Sequence, residues 1–236
     1  MNSASAKPAP SQPTPLSLNR DQGQNKLPAI LKNLHQLAHI AQQPKICLTF
    51  DDGPDPAYTP IILDILAAHQ VRANFFVIGS AAKRFPHLIH RMLDAGHLVG
   101  NHTYSHHHPW FISARRARLE IARTSRVLQR ITGAAPQWFR PPHGRLRPAM
   151  TAEAAAQQMT TVLWSRSAID WGPLGTLEGV QQRLNDVAAG DIVLMHDGQR
   201  EHNHPDITAQ NLPRFFEGLH ERGIAAITLD QAKYGC

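Results

Sequence analysis

Seven short runs of β-forming residues, separated by helical patterns, set the main constraint on how this chain can fold. The runs span residues 45–50, 73–78, 97–100, 137–140, 160–164, 191–195 and 224–229. The helical patterns cover about 58–69, 86–95, 113–132, 148–158, 176–189 and 208–222. Regular alternation of strands and helices predicts an α/β fold with a parallel sheet. Periodicity alone does not separate an open doubly wound sheet from a closed barrel.

The N-terminal segment differs in composition from the remainder of the chain. Residues 1–26 are rich in Pro, Ser and Ala, which predicts a disordered tail. Residues 27–43 carry Leu, Ile and Ala at helical spacing, which predicts an amphipathic helix packing on the domain. A helix that binds a membrane surface or a partner is the alternative for this segment.

The net charge of +6 belongs largely to the same N-terminal segment. Residues 1–45 contain a single acidic side chain, Asp21, against five basic ones: Lys7, Arg20, Lys26, Lys32 and Lys45. They contribute +4, and the rest of the chain contributes only +2. A nearly balanced domain is a poor candidate for binding a nucleic-acid backbone, so no nucleic-acid partner is expected.

The cysteine content and the hydropathy of the sequence argue against a disulfide framework, a CxxC metal site and a transmembrane segment. The two cysteines, Cys47 and Cys236, form neither a disulfide framework nor a CxxC metal site. No stretch approaches the about 20 apolar residues that span a membrane, so no transmembrane segment is expected. The N-terminus has no apolar core of a secretory signal, which predicts a cytoplasmic location unless the start codon is mis-assigned.

Ionisable side chains follow several of the predicted strands directly. Asp51 and Asp52 come after the first run, Arg140 closes the fourth, and His196 follows the sixth. Parallel α/β folds place their active sites at the carboxyl ends of strands, so we expect these side chains on one rim. Because each such group carries a desolvation cost, the pattern indicates a functional site rather than packing.

The stretch GNHTYSHHHPW, residues 100–110, places His102 and His106 four residues apart. In a helical turn this spacing puts both imidazoles on one face, where they can share a metal ion. With one strand-end carboxylate they would make a site that suits Zn²⁺ or another divalent transition metal. The histidine pair alone is a weak signal, because the chain has 15 histidines and a polar loop is the alternative.

Five short motifs occur in order along the chain: TFDDGP (49–54), HTYSH (102–106), RPPHG (140–144), DW (170–171) and LMH (194–196). Their order and approximate spacing resemble the polysaccharide deacetylase family, also called the NodB-homology or carbohydrate esterase family 4 group. The resemblance covers roughly residues 45–230, and we expect the catalytic domain over 45–232. It implies a distorted (β/α) barrel and metal-dependent removal of N-acetyl groups from GlcNAc-containing glycans, such as chitooligosaccharide or peptidoglycan.

The resemblance implies different roles for the two adjacent aspartates. Asp52 matches the metal ligand, together with His102 and His106, and Asp51 matches the general base. A carboxylate bound to a metal loses much of its basicity, so its neighbour has to stay free to accept a proton. The cation also relieves the repulsion between the two carboxylates.

Four further residues match the family's catalytic positions. His196 matches the general acid that protonates the departing sugar amine, and Asp170 resembles the residue that holds this histidine as an imidazolium. Arg140 resembles the residue that pairs with the catalytic base. The backbone N–H of His143 matches a donor to the tetrahedral oxyanion.

Leu194 and Trp171 resemble the residues that line the pocket for the acetyl methyl group. Plain core packing is the alternative for both of these side chains. The chain also departs from the family pattern at His107 in place of Pro, His143 in place of Tyr and Ser167 in place of Asp. These departures concern substrate contacts and the tuning of pKa values more than the core mechanism.

Three other functions remain open at this stage. One is hydrolysis of a non-sugar amide, and another is glycan binding without catalysis; a nucleic-acid or membrane-surface module that uses the basic N-terminus is the third. A non-catalytic member would be expected to lack a metal ligand, the base or the acid, whereas this chain has them all. The sequence gives no indication of an oligomeric state, of the exact glycan or of the metal.

Overall fold

The computed structural model of the chain describes residues 29–40 and 43–235. The strands in these ranges are β1 (Ile30–Leu31), β2 (Lys45–Asp51), β3 (Asn74–Val77), β4 (Leu98–Asn101), β5 (Trp138–Phe139), β6 (Thr160–Val162), β7 (Arg166–Ser167), β8 (Ile192–His196) and β9 (Ala225–Ala226). The α-helices are α1 (Thr59–Ala68), α2 (Gly79–Arg84), α3 (Pro86–Asp94), α4 (Ala114–Thr132), α5 (Pro148–Ala156), α6 (Leu177–Asn185), α7 (Pro205–Glu221) and α8 (Leu229–Tyr234). The predicted tail, residues 1–26, lies outside the described residues.

The strands pair in parallel in the order β1-β6-β5-β4-β3-β2-β8-β7. Strand β9 pairs with the first two residues of β2, whose remaining residues pair with β8. The sheet curls into a half-barrel with helices packed on it, and its two terminal strands, β1 and β7, do not pair with each other among the described residues. The predicted α/β class with a distorted barrel is therefore confirmed.

Alternation along β2 explains how this strand serves both the core and the rim. Ile46, Leu48 and Phe50 point to one face, where they pack with the surrounding helices in the largest apolar cluster. The opposite face carries Cys47 in a second cluster, and then Thr49 and Asp51 nearer the carboxyl end. Burial raises the pKa of the Cys47 thiol, so this side chain stays neutral.

The predicted helix over residues 27–43 does not form in the described part of that range. The chain instead makes strand β1, which pairs with β6, and a short 3₁₀ turn, Leu34–Gln36. The buried residues are Leu31, Leu34, Leu37 and Ile40, which recur at every third position. This period suits successive tight turns better than an α-helix, and pairing with an open sheet edge outweighs helix propensity. These four side chains pack in the apolar cluster that also contains Cys47 of β2.

All seven predicted strands and all six predicted helices have counterparts in the structure. The sequence patterns missed β1, β7, α2 and α8, which have between two and six residues. Segments this short hold too few residues for a periodic pattern to emerge. In the ranges that the structure describes, none of the helices has the length and apolarity needed to cross a membrane.

Candidate active site

A cavity with a volume of about 380 Å³ opens at the carboxyl ends of β2, β4 and β8. Eight of the ten predicted site residues line it: Asp51, Asp52, His102, His106, His143, Trp171, Leu194 and His196. The other two, Arg140 and Asp170, are fully buried and contact residues of the cavity wall. The expectation that strand-end polar residues share one rim is therefore correct.

Asp51 is held by a buried arginine. Arg140 donates from Nη1 to Asp51 Oδ1 at 2.8 Å and to Thr49 Oγ1 at 2.6 Å. Its other guanidinium nitrogens donate to the backbone carbonyls of Val162 and Leu163. The planar guanidinium group of Arg140 thus donates to four acceptors, and this fixes the orientation of the Asp51 carboxylate.

Asp52, His102 and His106 form a compact buried cluster beside Asp51. The ligand atoms of the three residues all lie within 4.8 Å of one another. Asp52 Oδ1 is 3.1 Å from His106 Nε2 and 3.6 Å from His102 Nε2. This is the combination of residues predicted from the sequence as a metal site.

The two histidines approach each other through an irregular loop and not through a helical turn as expected. Thr103 and His106 both have positive φ angles, 67° and 54°, which an α-helix does not allow. The Asn101 side chain accepts a hydrogen bond from the Thr103 N–H and so supports this conformation. The loop conformation, rather than helical periodicity, brings the imidazoles to one point.

Glu120 of α4, a residue outside the five sequence motifs, holds this loop in place. Its carboxylate accepts hydrogen bonds from the backbone N–H groups of Tyr104 and Ser105, at 3.1 and 2.7 Å. It also accepts from the Ser105 hydroxyl and from Arg116, and it is only 3% exposed. A signal for it existed, because Glu120 interrupts the apolar stripe of the helix between Ala117 and Thr124.

Four observations indicate that the cluster fits a divalent metal ion. His102 Nδ1 lies 2.8 Å from the Arg140 carbonyl oxygen, to which it donates, so Nε2 carries the free lone pair that a metal ligand needs. Asp52 Oδ1 is buried and has no hydrogen-bond partner among the described residues. Burial lowers the pKa of His106 to about 2, which keeps the imidazole neutral. Two ligand atoms of one tetrahedral Zn²⁺ lie about 3.4 Å apart. The separations of 3.1 and 3.6 Å between Asp52 Oδ1 and the Nε2 atoms of the two histidines are close to this value.

The second oxygen of Asp52 is bound by a residue that the sequence analysis also missed. Asn203 donates from Nδ2 to Asp52 Oδ2 at 2.7 Å and to the Gly198 carbonyl at 3.2 Å. Any side chain at Gly198 would meet the Asp52 backbone, since a Cβ there would lie 2.3 Å from its carbonyl group. The loop after β8 therefore packs directly on Asp52 and directs its Oδ1 toward the histidines.

His196 is oriented by Asp170 on the opposite wall of the cavity. The His196 Nδ1 atom lies 2.8 Å from Asp170 Oδ1, and the His196 backbone N–H donates to Asp170 Oδ2. Thr208 of α7, which the sequence analysis did not single out, also donates to Asp170 Oδ2. Burial would lower the pKa of His196, but the Asp170 carboxylate outweighs it and raises the pKa to about 9. The imidazole is therefore charged at neutral pH.

Aromatic and apolar side chains complete the cavity. Trp171 packs edge-on against His196, with ring centroids 5.3 Å apart, and Leu194 forms part of the cavity wall. Trp164, which was not assigned a role, also lines the cavity and packs over Gly144. His143 has a φ of 57°, an unusual conformation that follows the two prolines.

The loop after β8 also lines the cavity, through Arg200, Glu201, His202 and Asn203. Three residues, His107, His143 and Ser167, depart from the family pattern. Of these, His143 lines the cavity. Ser167 accepts a hydrogen bond from the Ile169 N–H, and His107 is exposed.

Comparison with known proteins agrees with the geometry. Residues 39–162 match the family model described as polysaccharide deacetylase. A peptidoglycan-N-acetylglucosamine deacetylase of Bacillus cereus is 34% identical over 185 residues, which are 78% of this chain and 66% of the relative. A chitooligosaccharide deacetylase of Sinorhizobium fredii is 35% identical over 196 residues, which are 80% of this chain and 91% of the relative.

Solved structures show the same architecture. The crystal structure of the Bc1960 peptidoglycan N-acetylglucosamine deacetylase, determined with a bound N-hydroxybenzamide compound, has a TM-score of 0.78 to this chain. The two share 30% sequence identity, and the match covers 86% of this chain and 92% of that one. The half-barrel of parallel strands is therefore common to both proteins.

Proposed function

The chain belongs to the polysaccharide deacetylase family, and on this premise we propose that it is a metal-dependent hydrolase that removes N-acetyl groups from GlcNAc-containing oligo- or polysaccharides. The names of the two relatives, a peptidoglycan and a chitooligosaccharide deacetylase, support this substrate class. One observation carries the proposal. A two-histidine, one-carboxylate cluster, an arginine-held carboxylate and an aspartate-held histidine all border one cavity.

Asp52, His102 and His106 would hold the metal ion. Two imidazoles and one carboxylate suit Zn²⁺, and the same donors also accept Co²⁺ or another divalent transition metal. When bound, the ion supplies a lowered pKa for the attacking water and polarisation of the acetamide carbonyl.

Asp51 is assigned as the general base. One of its oxygens is taken by Arg140, and Oδ2 lies 3.6 Å from His102 Nε2, at the edge of the metal cluster. The carboxylate removes a proton from water as the water oxygen forms a bond to the acetyl carbon. Arg140 keeps the carboxylate in the orientation that this transfer requires.

The backbone N–H of His143 is assigned as a donor to the oxyanion that develops on the acetyl oxygen. Pro141 and Pro142 precede it and have no N–H, so His143 provides the first donor of this loop after Arg140. Leu194 and Trp171 are assigned to the contact with the acetyl methyl group, because both line the cavity close to His196.

His196 is assigned as the general acid. Its Nδ1 is engaged by Asp170, so the proton available to the substrate is the one on Nε2. As the C–N bond breaks, this proton passes to the departing nitrogen, and the products are acetate and a free amine. The raised pKa of His196, about 9, keeps the acid charged until that step.

The proposal is tested by measuring acetate release. The purified chain, loaded with Zn²⁺ or Co²⁺, is incubated with chitooligosaccharides, peptidoglycan fragments and small N-acetyl sugars. We expect acetate from at least one glycan, loss of release after chelation, and recovery when metal is added back. If no sugar yields acetate although one metal ion is bound per chain, the proposed function is wrong.

Hydrolysis of a non-sugar amide is the second candidate, because the same groups can open any amide that fits the cavity. Acetate release from a small acetamide with no release from sugars would favour it. A glycan-binding role without catalysis is less well supported, since the metal cluster, the carboxylate of Asp51 and the His196–Asp170 pair are all in place.

A further inference from the structure

A continuous row of rings leads from the metal cluster to the protein surface. The ring centroids of His106 and His143 are 4.7 Å apart, and those of His143 and His108 are 5.1 Å apart. His108 in turn stacks on Phe111, with a centroid distance of 4.5 Å and an interplanar angle of 28°. The row therefore begins at a proposed metal ligand and ends at a phenylalanine outside the cavity.

The outer end of this row is unusually exposed for its residue types. Phe111 is 85% exposed, and the adjacent Trp110 is 56% exposed. Single exposed apolar side chains are common on protein surfaces and need no explanation. Phe111 differs from such isolated side chains, because the ring contacts through His108 and His143 connect it to the cavity, and Trp110 adjoins it in the same turn.

The backbone that carries these two rings is fixed. Arg147 donates from one guanidinium nitrogen to the carbonyl oxygens of Pro109 and Ile112, at either end of the turn. The Trp110 N–H donates to His108 Nδ1, which ties the turn to the histidine row. A ligand that binds here therefore spends little free energy on ordering the turn.

We propose that His108, Trp110 and Phe111 form a sugar-binding subsite that stacks on a pyranose ring next to the residue being deacetylated. This inference rests on the proposed function and deepens it, because it makes a glycan of several sugar units the preferred substrate. A pyranose ring presents an apolar face of C–H groups, and flat aromatic side chains cover such a face well. His143 belongs to both the cavity and the row, so one glycan chain can contact both.

The test measures how catalytic efficiency depends on glycan length. For the GlcNAc monomer and for GlcNAc oligomers of two to six units, kcat/KM is determined for the parent chain and for Phe111→Ala, Phe111→Trp and Trp110→Ala. We expect the ratio of kcat/KM for the hexamer to that for the GlcNAc monomer to fall about 10-fold in Phe111→Ala. Phe111→Trp keeps a flat ring and should retain most of the ratio.

Tyr234→Ala is the matched control. Tyr234 is an aromatic side chain that is 61% exposed. Its neighbour Lys233 contacts Gln137 at the amino end of β5, whereas the cavity lies at the carboxyl ends of the strands. Its removal should leave the length ratio unchanged. Thermal unfolding of each variant verifies that the fold is intact.

A direct binding measurement separates this inference from the proposed function. In an Asp51→Asn background, titration calorimetry with the GlcNAc hexamer should give about a 10-fold higher Kd when Phe111 is also replaced by Ala. An unchanged Kd and an unchanged length ratio would overturn the subsite. An equal loss of kcat/KM for the monomer and for every oligomer would also overturn it, because that result indicates a general disturbance of the site.

Discussion

At the scale of single residues, the contact between His196 and Asp170 determines how kcat/KM should depend on pH. The general acid has to be protonated, and Asp170 raises the pKa of His196 to about 9. A group with a raised pKa keeps its proton below that value and loses it as the pH rises through it. A cation bound at the metal cluster would repel the imidazolium and so lower the pKa of His196. We therefore expect kcat/KM to fall on the alkaline side, at or below a pH of about 9.

Replacing Asp170 by Asn tests this dependence. The substitution removes the negative charge that stabilises the imidazolium, so the alkaline limb of kcat/KM should move about 1–3 pH units lower. The rate at pH 7 should fall by up to about 10-fold through loss of this proton, because only the larger of these shifts brings the pKa of His196 below 7. Asp186→Asn, at the end of α6, is the control and should leave the profile in place. A reduced rate with an unshifted profile would indicate a purely structural role for Asp170.

Asn203 leads to a second prediction at the scale of residues, which concerns the affinity of the site for metal. Its side chain binds Asp52 Oδ2, so Asn203→Ala frees that oxygen and lets the carboxylate rotate away from the histidines. We expect the Kd for Zn²⁺ to rise about 10–100-fold, measured by competition with a chelator. Asn185→Ala is the control, because Asn185 lies at the exposed end of α6. Unchanged affinity in the Asn203 variant would contradict the role that the hydrogen bond gives it.

Residues at strand ends could be predicted from the sequence, whereas their supporting partners could not. Asp51 and His196 directly follow apolar runs, and the architecture itself brings the ends of parallel strands together. Asn203 lies in a polar loop and meets Asp52, 151 positions away, through a fold-dependent contact. Thr208 reaches Asp170 across 38 positions in the same way. No local pattern encodes such pairs.

At the scale of elements, helix α4 determines whether the metal-binding loop keeps its shape. Glu120 alone accepts two backbone N–H groups of the loop between His102 and His106. The prediction that these histidines share a helical turn was wrong because the loop satisfies its backbone through this carboxylate. Spacing of four residues was compatible with both arrangements, and only the tertiary contact decides between them.

Replacing Glu120 by Ala should therefore affect both stability and metal binding. Two partly buried N–H groups would lose their acceptor, at a cost of up to about 1–3 kcal/mol each in the free energy of unfolding. The Kd for Zn²⁺ should rise at the same time, because the loop no longer holds His106 in place. Urea unfolding and metal titration give the two values. Glu217→Ala, at an exposed position of α7, is the control, and equal metal affinity in both variants would contradict the account.

At the scale of the whole molecule, residues 29–40 of the N-terminal segment pack against the half-barrel. Leu31, Leu34, Leu37 and Ile40 belong to the same apolar cluster as Cys47 of the central strand. The segment therefore contributes to the core of the domain that carries the active site. Its secondary structure could not be read from the sequence, because the sheet edge with which β1 pairs is built by residues far along the chain.

Leu34→Ala measures this contribution. The side chain is 1% exposed, so its truncation leaves a cavity and should lower the free energy of unfolding by about 2–5 kcal/mol. Leu119→Ala is the matched control, because Leu119 is 45% exposed on α4 and should change stability by less than about 0.5 kcal/mol. Equal stability of the two variants would show that the segment does not pack as described.

The central claim is that the two adjacent aspartates divide the chemistry, with Asp52 on the metal and Asp51 as the base. The most direct test measures bound metal and acetate release in the same samples of Asp51→Asn and Asp52→Asn. We predict that Asp51→Asn binds one metal ion per chain but loses at least about 100-fold in kcat, whereas Asp52→Asn loses the metal itself. Full turnover by Asp51→Asn, or full metal occupancy in Asp52→Asn, would contradict the account.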